Sequence, residues 1–225
     1  MTLNIKDKPK DGFERVVYAE EDKFNFYSVI AIHNTKRGPA LGGCRYFNYQ
    51  DFNKQEEDVL KLAEAMTYKN SLAELPFGGG KATIHSKINK KDAYSLFGEV
   101  LNKLNGTYIT AGDMGTVDED LRGFREYSDH VCNPIGSDSG LGTALGVYYS
   151  MLGCVEFKFG QDSLVNKNIF IKGYGKTGSR IASLCKKDGA NIEISDLEHK
   201  KDLIERDGYK FCSQLQDTSL SLIHI

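Results

Sequence analysis

Two lysines, an aspartate and a glycine turn carry the chemistry legible in this chain. Lys69 stands in the run Met66-Thr67-Tyr68-Lys69-Asn70, three positions after Met66. On a helix it would leave beside the apolar stripe and not from the fully solvated side. Lys81 follows three consecutive glycines in Pro76-Phe77-Gly78-Gly79-Gly80-Lys81-Ala82, a run that lets backbone approach a bound molecule closely at an entropic cost. Asp113 lies in Gly112-Asp113-Met114-Gly115. A lysine works as a base near neutral pH only when burial or a neighbouring cation lowers its hold on the proton, and an ionised carboxylate beside it can relay protons. Taken singly, each of these charged residues reads as solvated surface; their combination gives the chemistry weight.

A second constellation lies further along. Gly173, Gly175 and Gly178, with Tyr174, Lys176 and Thr177 between them, form G-x-G-x-x-G after an apolar strand and before a helix, and Asp196 ends the next strand. The glycines permit a tight turn and a close approach of backbone N–H groups to a pyrophosphate, which the helix N-terminus also attracts. Asp196 is expected to accept hydrogen bonds from a ribose and to repel a 2′-phosphate, favouring NAD over NADP. His199, Lys200 and Lys201 just beyond could instead accommodate that phosphate.

The elements that must position these groups follow from periodicity. Residues 14–34 read as two strands around a polar turn, and a glycine-rich segment follows. Asn53 with Glu56 is a capping-box signature for a long helix that carries Val59, Leu62, Ala63 and Met66 and ends before Pro76. The glycine run is expected as a loop leading to Thr83. Asn89 caps a second helix that stops at Gly106; residues 108–111 form a strand, and another helix runs through Leu121 and Phe124. Residues 133–142 are rich in turn formers and are expected as a hinge between domains. Strand 169–171, the glycine turn, helix 179–187 and strand 192–195 make half of a Rossmann unit.

Length suits two domains: residues 1–135 for substrate, catalysis and oligomerisation, and residues 136–219 as a partial dinucleotide-binding domain. The fold class is therefore α/β, an N-terminal α/β substrate domain followed by a partial Rossmann-type domain, with a cleft between them. Residues 220–225, LSLIHI, also translate one frame of the transposase mosaic-end DNA used in library preparation, and are expected to be a non-native tail. A hydrophobic share of 40% supports buried cores, and a net charge of −2 gives no electrostatic reason to expect nucleic acid or an anionic membrane. The lysine-rich start suggests no leader or span, so a cytoplasmic protein is expected. Five dispersed cysteines suggest reduced, mostly buried thiols, and the histidines have no metal-ligand spacing.

Three segments, GPALGGCR (residues 38–45), AEAMTYKNSLAELPFGGGKATI (63–84) and YITAGDMGT (108–116), closely resemble the leucine dehydrogenase branch of the Glu/Leu/Phe/Val dehydrogenase family. The resemblance covers residues 13–196. It implies that Lys69 binds a substrate carboxylate, that Lys81 activates water, and that Asp113 relays protons to and from an amino group. It further implies that Gly42 and Gly43 line the substrate floor beside Met66, and that Thr143 holds a nicotinamide carboxamide. Leu41 and Ala111 match an aliphatic pocket, whereas Gly112 stands where an acidic residue is expected and could loosen Asp113. The implied activity is NAD-dependent, reversible oxidative deamination of a branched-chain L-amino acid to a 2-oxo acid and ammonia by a homo-oligomer. A phenylalanine- or glutamate-type enzyme and a non-catalytic binding paralogue are the alternatives. With only half of a nucleotide domain present, the chain by itself is expected to be poorly soluble or inactive.

Overall fold

The computed structural model describes residues 3–132 and 139–213, so residues 133–138 of the expected hinge and the tail at 220–225 lie outside the described residues. The chain divides into two compact units, Met1–Ile135 and Gly136–Ile225.

In the first unit, strands β1 (Asn4–Asp7), β2 (Arg15–Glu21), β3 (Phe26–Asn34), β4 (Ala40–Phe47), β5 (Gly78–His85) and β6 (Tyr108–Gly112) form one sheet in the order β1-β2-β3-β5-β4-β6. The first three strands and β5 pair antiparallel, while β5, β4 and β6 run parallel. Alternation along β2 and β3 fixes the layers. Val16, Tyr18, Val29 and Ala31 face Val59 and Ala63 of helix α1 (Phe52–Leu72). Val17, Ala19, Ile30 and Ile32 face the opposite way, into a larger core with Phe97, Val100 and Leu101 of α2 (Lys90–Lys103) and Phe124 of α3 (Asp118–Arg125). Helices thus cover both faces of the sheet.

Two expectations change here. The glycine run is no loop: Gly78, Gly79 and Gly80 open β5, a strand paired on both sides and buried from Gly78 to Ile84. A side chain at Gly79 would strike Thr67 of α1 at 2.1 Å, so this glycine lets helix and sheet approach. The glycine-rich segment before α1, to which the sequence assigns no element, is strand β4. The cap of α1 is Asp51, whose carboxylate accepts from Lys54 N at 2.9 Å, in place of Asn53, which lies inside the helix. The cap of α2 is Asn89 as expected, accepting from Lys91 N at 2.9 Å.

The second unit has helix α4 (Ser139–Phe159), then β7 (Asn168–Lys172), α5 (Lys176–Lys187), β8 (Asn191–Ser195), α6 (Lys201–Arg206) and β9 (Lys210–Phe211). Residues 139–142 of the expected hinge are therefore helix. The strands are parallel in the order β7-β8-β9. Met151 and Val155 of α4, Ile181 and Cys185 of α5, and Ile169, Ile171 and Ile194 of the strands share its core. Gly189, at φ +83°, ends α5 as the spacing suggests. The cysteines are all free, but only Cys44 and Cys185 are buried; Cys154 is exposed and the other two are half-buried, correcting the expectation of mostly buried thiols. Among the described residues, no helix is long and apolar enough to cross a membrane.

Candidate active site

Parallel strands place their C-terminal ends on one edge, and that edge of β4 and β6 gathers the charged residues. Lys81 points from the middle of β5 into the protein and is only 5% exposed. Its Nζ meets Asp113 Oδ1 at 3.2 Å, immediately beyond β6. The other carboxylate oxygen, Oδ2, accepts from Arg45 Nε of β4 at 2.8 Å. Arg45 Nη1 in turn reaches both oxygens of Asp58 on α1, at 3.1 and 2.8 Å, and Tyr49 Oη donates to Asp58 Oδ2 at 2.7 Å. Two cations therefore flank one carboxylate, and a second carboxylate anchors the outer cation.

Electrostatics follow from that arrangement. Burial pushes Lys81 below its ordinary lysine value; the Asp113 charge and hydrogen bond oppose this, and the like charge of Arg45 adds to it. Burial alone would raise Asp113, but Lys81 and Arg45 together hold it below the usual carboxylate range. The pair thus combines an amine inclined to lose its proton with an acid fixed as the anion.

The loop carrying Asp113 is ordered by its own hydrogen bonds. Asp113 N donates to Thr116 Oγ1 at 2.8 Å, and Thr116 Oγ1 reaches Cys44 O at 2.9 Å. A methyl at Gly112 would find Leu121 Cδ1 at an ordinary 3.6 Å, so that position has space for a side chain it lacks.

Around this pair, Leu41 of β4 lies opposite Gly79 of β5 and Ile109 of β6, and Gly43 lies opposite Ala111. Leu41 and Ala111 are half-buried, Gly42 and Gly43 buried. A methyl at Gly42 would fall 1.7 Å from Gly80 O and 3.4 Å from Met66 Cγ; one at Gly43 would fall 2.8 Å from Asp113 Cβ. These two glycines are thus demanded by packing within the sheet and against Asp113. Asn70 ties α1 down by donating to Gly78 O at 2.6 Å and Leu41 O at 3.3 Å. Lys69, its neighbour, is exposed, contrary to the expectation that it leaves beside the buried face. The helix buries Val59, Ala63 and Asn70, and this stripe turns Lys69 outward onto the helix shoulder.

Arg45, Asp58 and Tyr49 were not singled out from the sequence. Arg45 lies inside the GPALGGCR segment, and alternation would have put it on the face of Leu41 and Gly43 had that segment been read as a strand.

The second unit holds the other constellation. Gly173 adopts φ +104°, and a methyl at Gly178 would meet Gly173 O at 2.0 Å, while Gly175 has open space around it. Gly175 caps α5 without a side-chain hydrogen bond, and Lys176, Thr177 and Gly178 form the first helical turn. A helix start beside the open space around Gly175 fits an anionic pyrophosphate. Tyr174 is buried, and its hydroxyl donates to Asp207 Oδ2 at 2.8 Å. Asp196 sits just past β8 and is turned into the protein: Oδ2 accepts from Tyr174 N and from Lys200 Nζ at 3.2 Å, and Oδ1 from Leu197 N at 2.6 Å. A carboxylate offers about four acceptor positions, so the chain itself occupies most of those expected for a ribose. Thr143 lies exposed near the start of α4.

Comparison with known proteins identifies the family of the chain. The model of the Glu/Leu/Phe/Val dehydrogenase dimerisation domain matches residues 14–129. Phenylalanine dehydrogenase of Thermoactinomyces intermedius is 36% identical over 221 residues, covering 95% of this chain and 60% of the relative. Leucine dehydrogenase of Bacillus subtilis is 37% identical over 201 residues, covering 86% and 55% respectively. The crystal structure of L-tryptophan dehydrogenase from Nostoc punctiforme superposes with a TM-score of 0.64 at 26% identity, covering 89% of this chain and 59% of that one. The chain thus spans a little over half the length of these relatives. With a family match extending over most of the unit that carries Lys81 and Asp113, the chain belongs to the Glu/Leu/Phe/Val dehydrogenase family.

Proposed function

We propose that the protein carrying this sequence catalyses the NAD-dependent, reversible oxidative deamination of a branched-chain aliphatic L-amino acid to the 2-oxo acid and ammonia. The observation that carries the reading is the buried Lys81 ammonium 3.2 Å from the Asp113 carboxylate. A buried charge pair costs desolvation that an apolar pair of the same size avoids, so its presence between the middle of β5 and the loop after β6 argues for chemistry.

When bound, the nicotinamide would supply the hydride acceptor for the substrate α-carbon. Asp113, kept anionic, takes a proton from the substrate ammonium so that the nitrogen lone pair can form the iminium. Lys81, as the amine, takes a proton from water as its oxygen attacks the iminium carbon. Once Lys81 has passed that proton to solvent, it takes the hydroxyl proton of the tetrahedral carbon as the C=O bond forms and the C–N bond breaks, and Asp113 returns its proton to the departing ammonia. Lys69, exposed and without a side-chain partner among the described residues, is available to pair with the substrate carboxylate. Leu41 and Ala111 offer an apolar wall and Met66 an adaptable one, which favours leucine, valine or isoleucine. Gly173, Gly175 and Gly178 would hold the pyrophosphate, Asp196 would favour NAD, and Thr143 would meet the carboxamide. The family domain is a dimerisation domain, which supports a homo-oligomer.

A phenylalanine-type activity is the second reading, favoured by the 36% identity to the Thermoactinomyces enzyme. The test is NAD reduction by the full-length protein against leucine, valine, isoleucine, phenylalanine and glutamate. Highest kcat/KM for a branched aliphatic substrate is expected, together with loss of turnover in Lys81→Ala and Asp113→Asn. Preference for phenylalanine would replace the substrate assignment. Wild-type turnover in both variants would overturn the mechanism.

A further inference from the structure

Asp113 has two anchors of unequal character. Its contact with Arg45, at 2.8 Å, is the shorter, and the contact with Lys81 is 3.2 Å. Arginine keeps its charge at every working pH, whereas a lysine that acts as a base must give its charge up in each cycle. If Lys81 alone held Asp113, deprotonation would release the carboxylate at the step that needs it placed. Arg45 is itself constrained, because Asp58 receives two hydrogen bonds from Nη1 and is fixed by Tyr49.

We propose that Arg45, locked by Asp58, is a positioning residue that keeps Asp113 in place while Lys81 cycles between ammonium and amine. The inference rests on the dehydrogenase reading above and adds a role for residues that do not touch substrate. It also explains why β4 carries an arginine where alternation points a side chain toward α1. A charge there is costly without a partner, and Asp58 and Asp113 supply one on each side. The groups around the pair are few. β4 contributes Arg45 and Cys44, α1 contributes Asp58 through Arg45, β6 contributes Tyr108, and β3 sets the uncharged Ala31 opposite Lys81. Burial pushes Cys44 and Tyr108 well above their ordinary values, so both stay neutral; besides Asp113, Arg45 is the charge that acts on the amine, and Asp58 reaches the pair through Arg45.

Arg45 opposes the Lys81 ammonium and Asp58 carries the opposite charge against Arg45, and this gives the test. Full-length protein is compared as wild type, Arg45→Met, Arg45→Lys and Asp58→Asn, with kcat, KM and the pH profile of kcat/KM measured. Arg45→Met is expected to lower kcat on the order of 100-fold, the scale of a misplaced reacting group, with a smaller change in KM. Its acidic limb moves to higher pH, because a cation that disfavoured the ammonium is gone. Asp58→Asn lowers kcat less and moves the limb to lower pH, because Arg45 is then uncompensated. Arg45→Lys keeps the limb near wild type but recovers only part of kcat, lacking the planar fork. Opposite shifts support positioning. Loss of kcat with the limb unmoved in every variant reduces Arg45 to a structural role, and unchanged kcat in Arg45→Met overturns the inference outright. If Arg45→Met does not fold, Asp58→Asn and Arg45→Lys decide. Failure of the underlying reading shows separately, as wild-type turnover in Lys81→Ala and Asp113→Asn.

Discussion

Gly43 and Asp113 face one another too closely for a methyl group. A Cβ on Gly43 would lie 2.8 Å from the Asp113 Cβ and 2.5 Å from Gly112 O. The identity of a strand residue thereby sets where the carboxylate of a neighbouring loop can stand.

Gly43→Ala is accordingly expected to destabilise the first unit by roughly 1–3 kcal/mol, as overpacking does, and to shift Asp113 away from Lys81. Thermal melting and kcat of the full-length protein read the two effects. A variant with wild-type melting and turnover would show that the strand and loop do not meet as described.

Lys81 gives folding a pH signature. Because burial lowers its folded value below the ordinary 10.5, the unfolded chain binds more protons in the interval between, and stability rises with pH across it. Asp113, held below 3.8 by Lys81 and Arg45 in spite of burial, contributes stability above that value that is lost as the pH falls through its lowered one. In Lys81→Met the alkaline rise should vanish, so the melting difference between wild type and variant should change as the pH rises toward the ordinary lysine value of 10.5. A constant difference would mean that the amine is not perturbed.

Asp196 is screened by Lys200, 3.2 Å away, which weakens the repulsion a bare carboxylate would exert on a 2′-phosphate. Lys200→Met should therefore increase the preference for NAD over NADP. Calorimetric titration of both nucleotides into full-length protein measures it, and an unaltered affinity ratio would remove Lys200 from the selectivity of the site.

The first turn of α1 offers a direct comparison of two caps. Asp51→Ala should cost about 1 kcal/mol, the usual value of a side-chain cap, and Asn53→Ala next to nothing. Urea denaturation of both variants tests this; equal losses would return the cap to Asn53.

The long α/β pattern was legible in the residues because its signals are local. Asn89 and Gly106 bracket α2 through capping and left-handed backbone, Gly189 ends α5, and alternation in residues 15–34 marks β2 and β3. The same holds for the glycine turn at Gly173, whose strand and helix are neighbours in the chain. Motif likeness also marked Lys81 and Asp113 as a pair before any distance was known.

What only the tertiary structure decided is non-local. Gly78, Gly79 and Gly80 carry the composition of a loop, yet they form a central strand because Thr67 of α1 and Asn34 of β3 lie where side chains would be. Lys69 faces outward because the rotation of α1 is set by which of its residues meet the sheet, and Asn70 won a buried place through two backbone carbonyls 8 and 29 positions away. Arg45 and Asp58 join the site for the same reason: pairing of β4 with β5 and β6, and the packing of α1, bring together charges that are 13 and 68 positions apart. Spacing along a chain reports the periodicity of one element, whereas the partners of a buried charge are chosen by how elements stack.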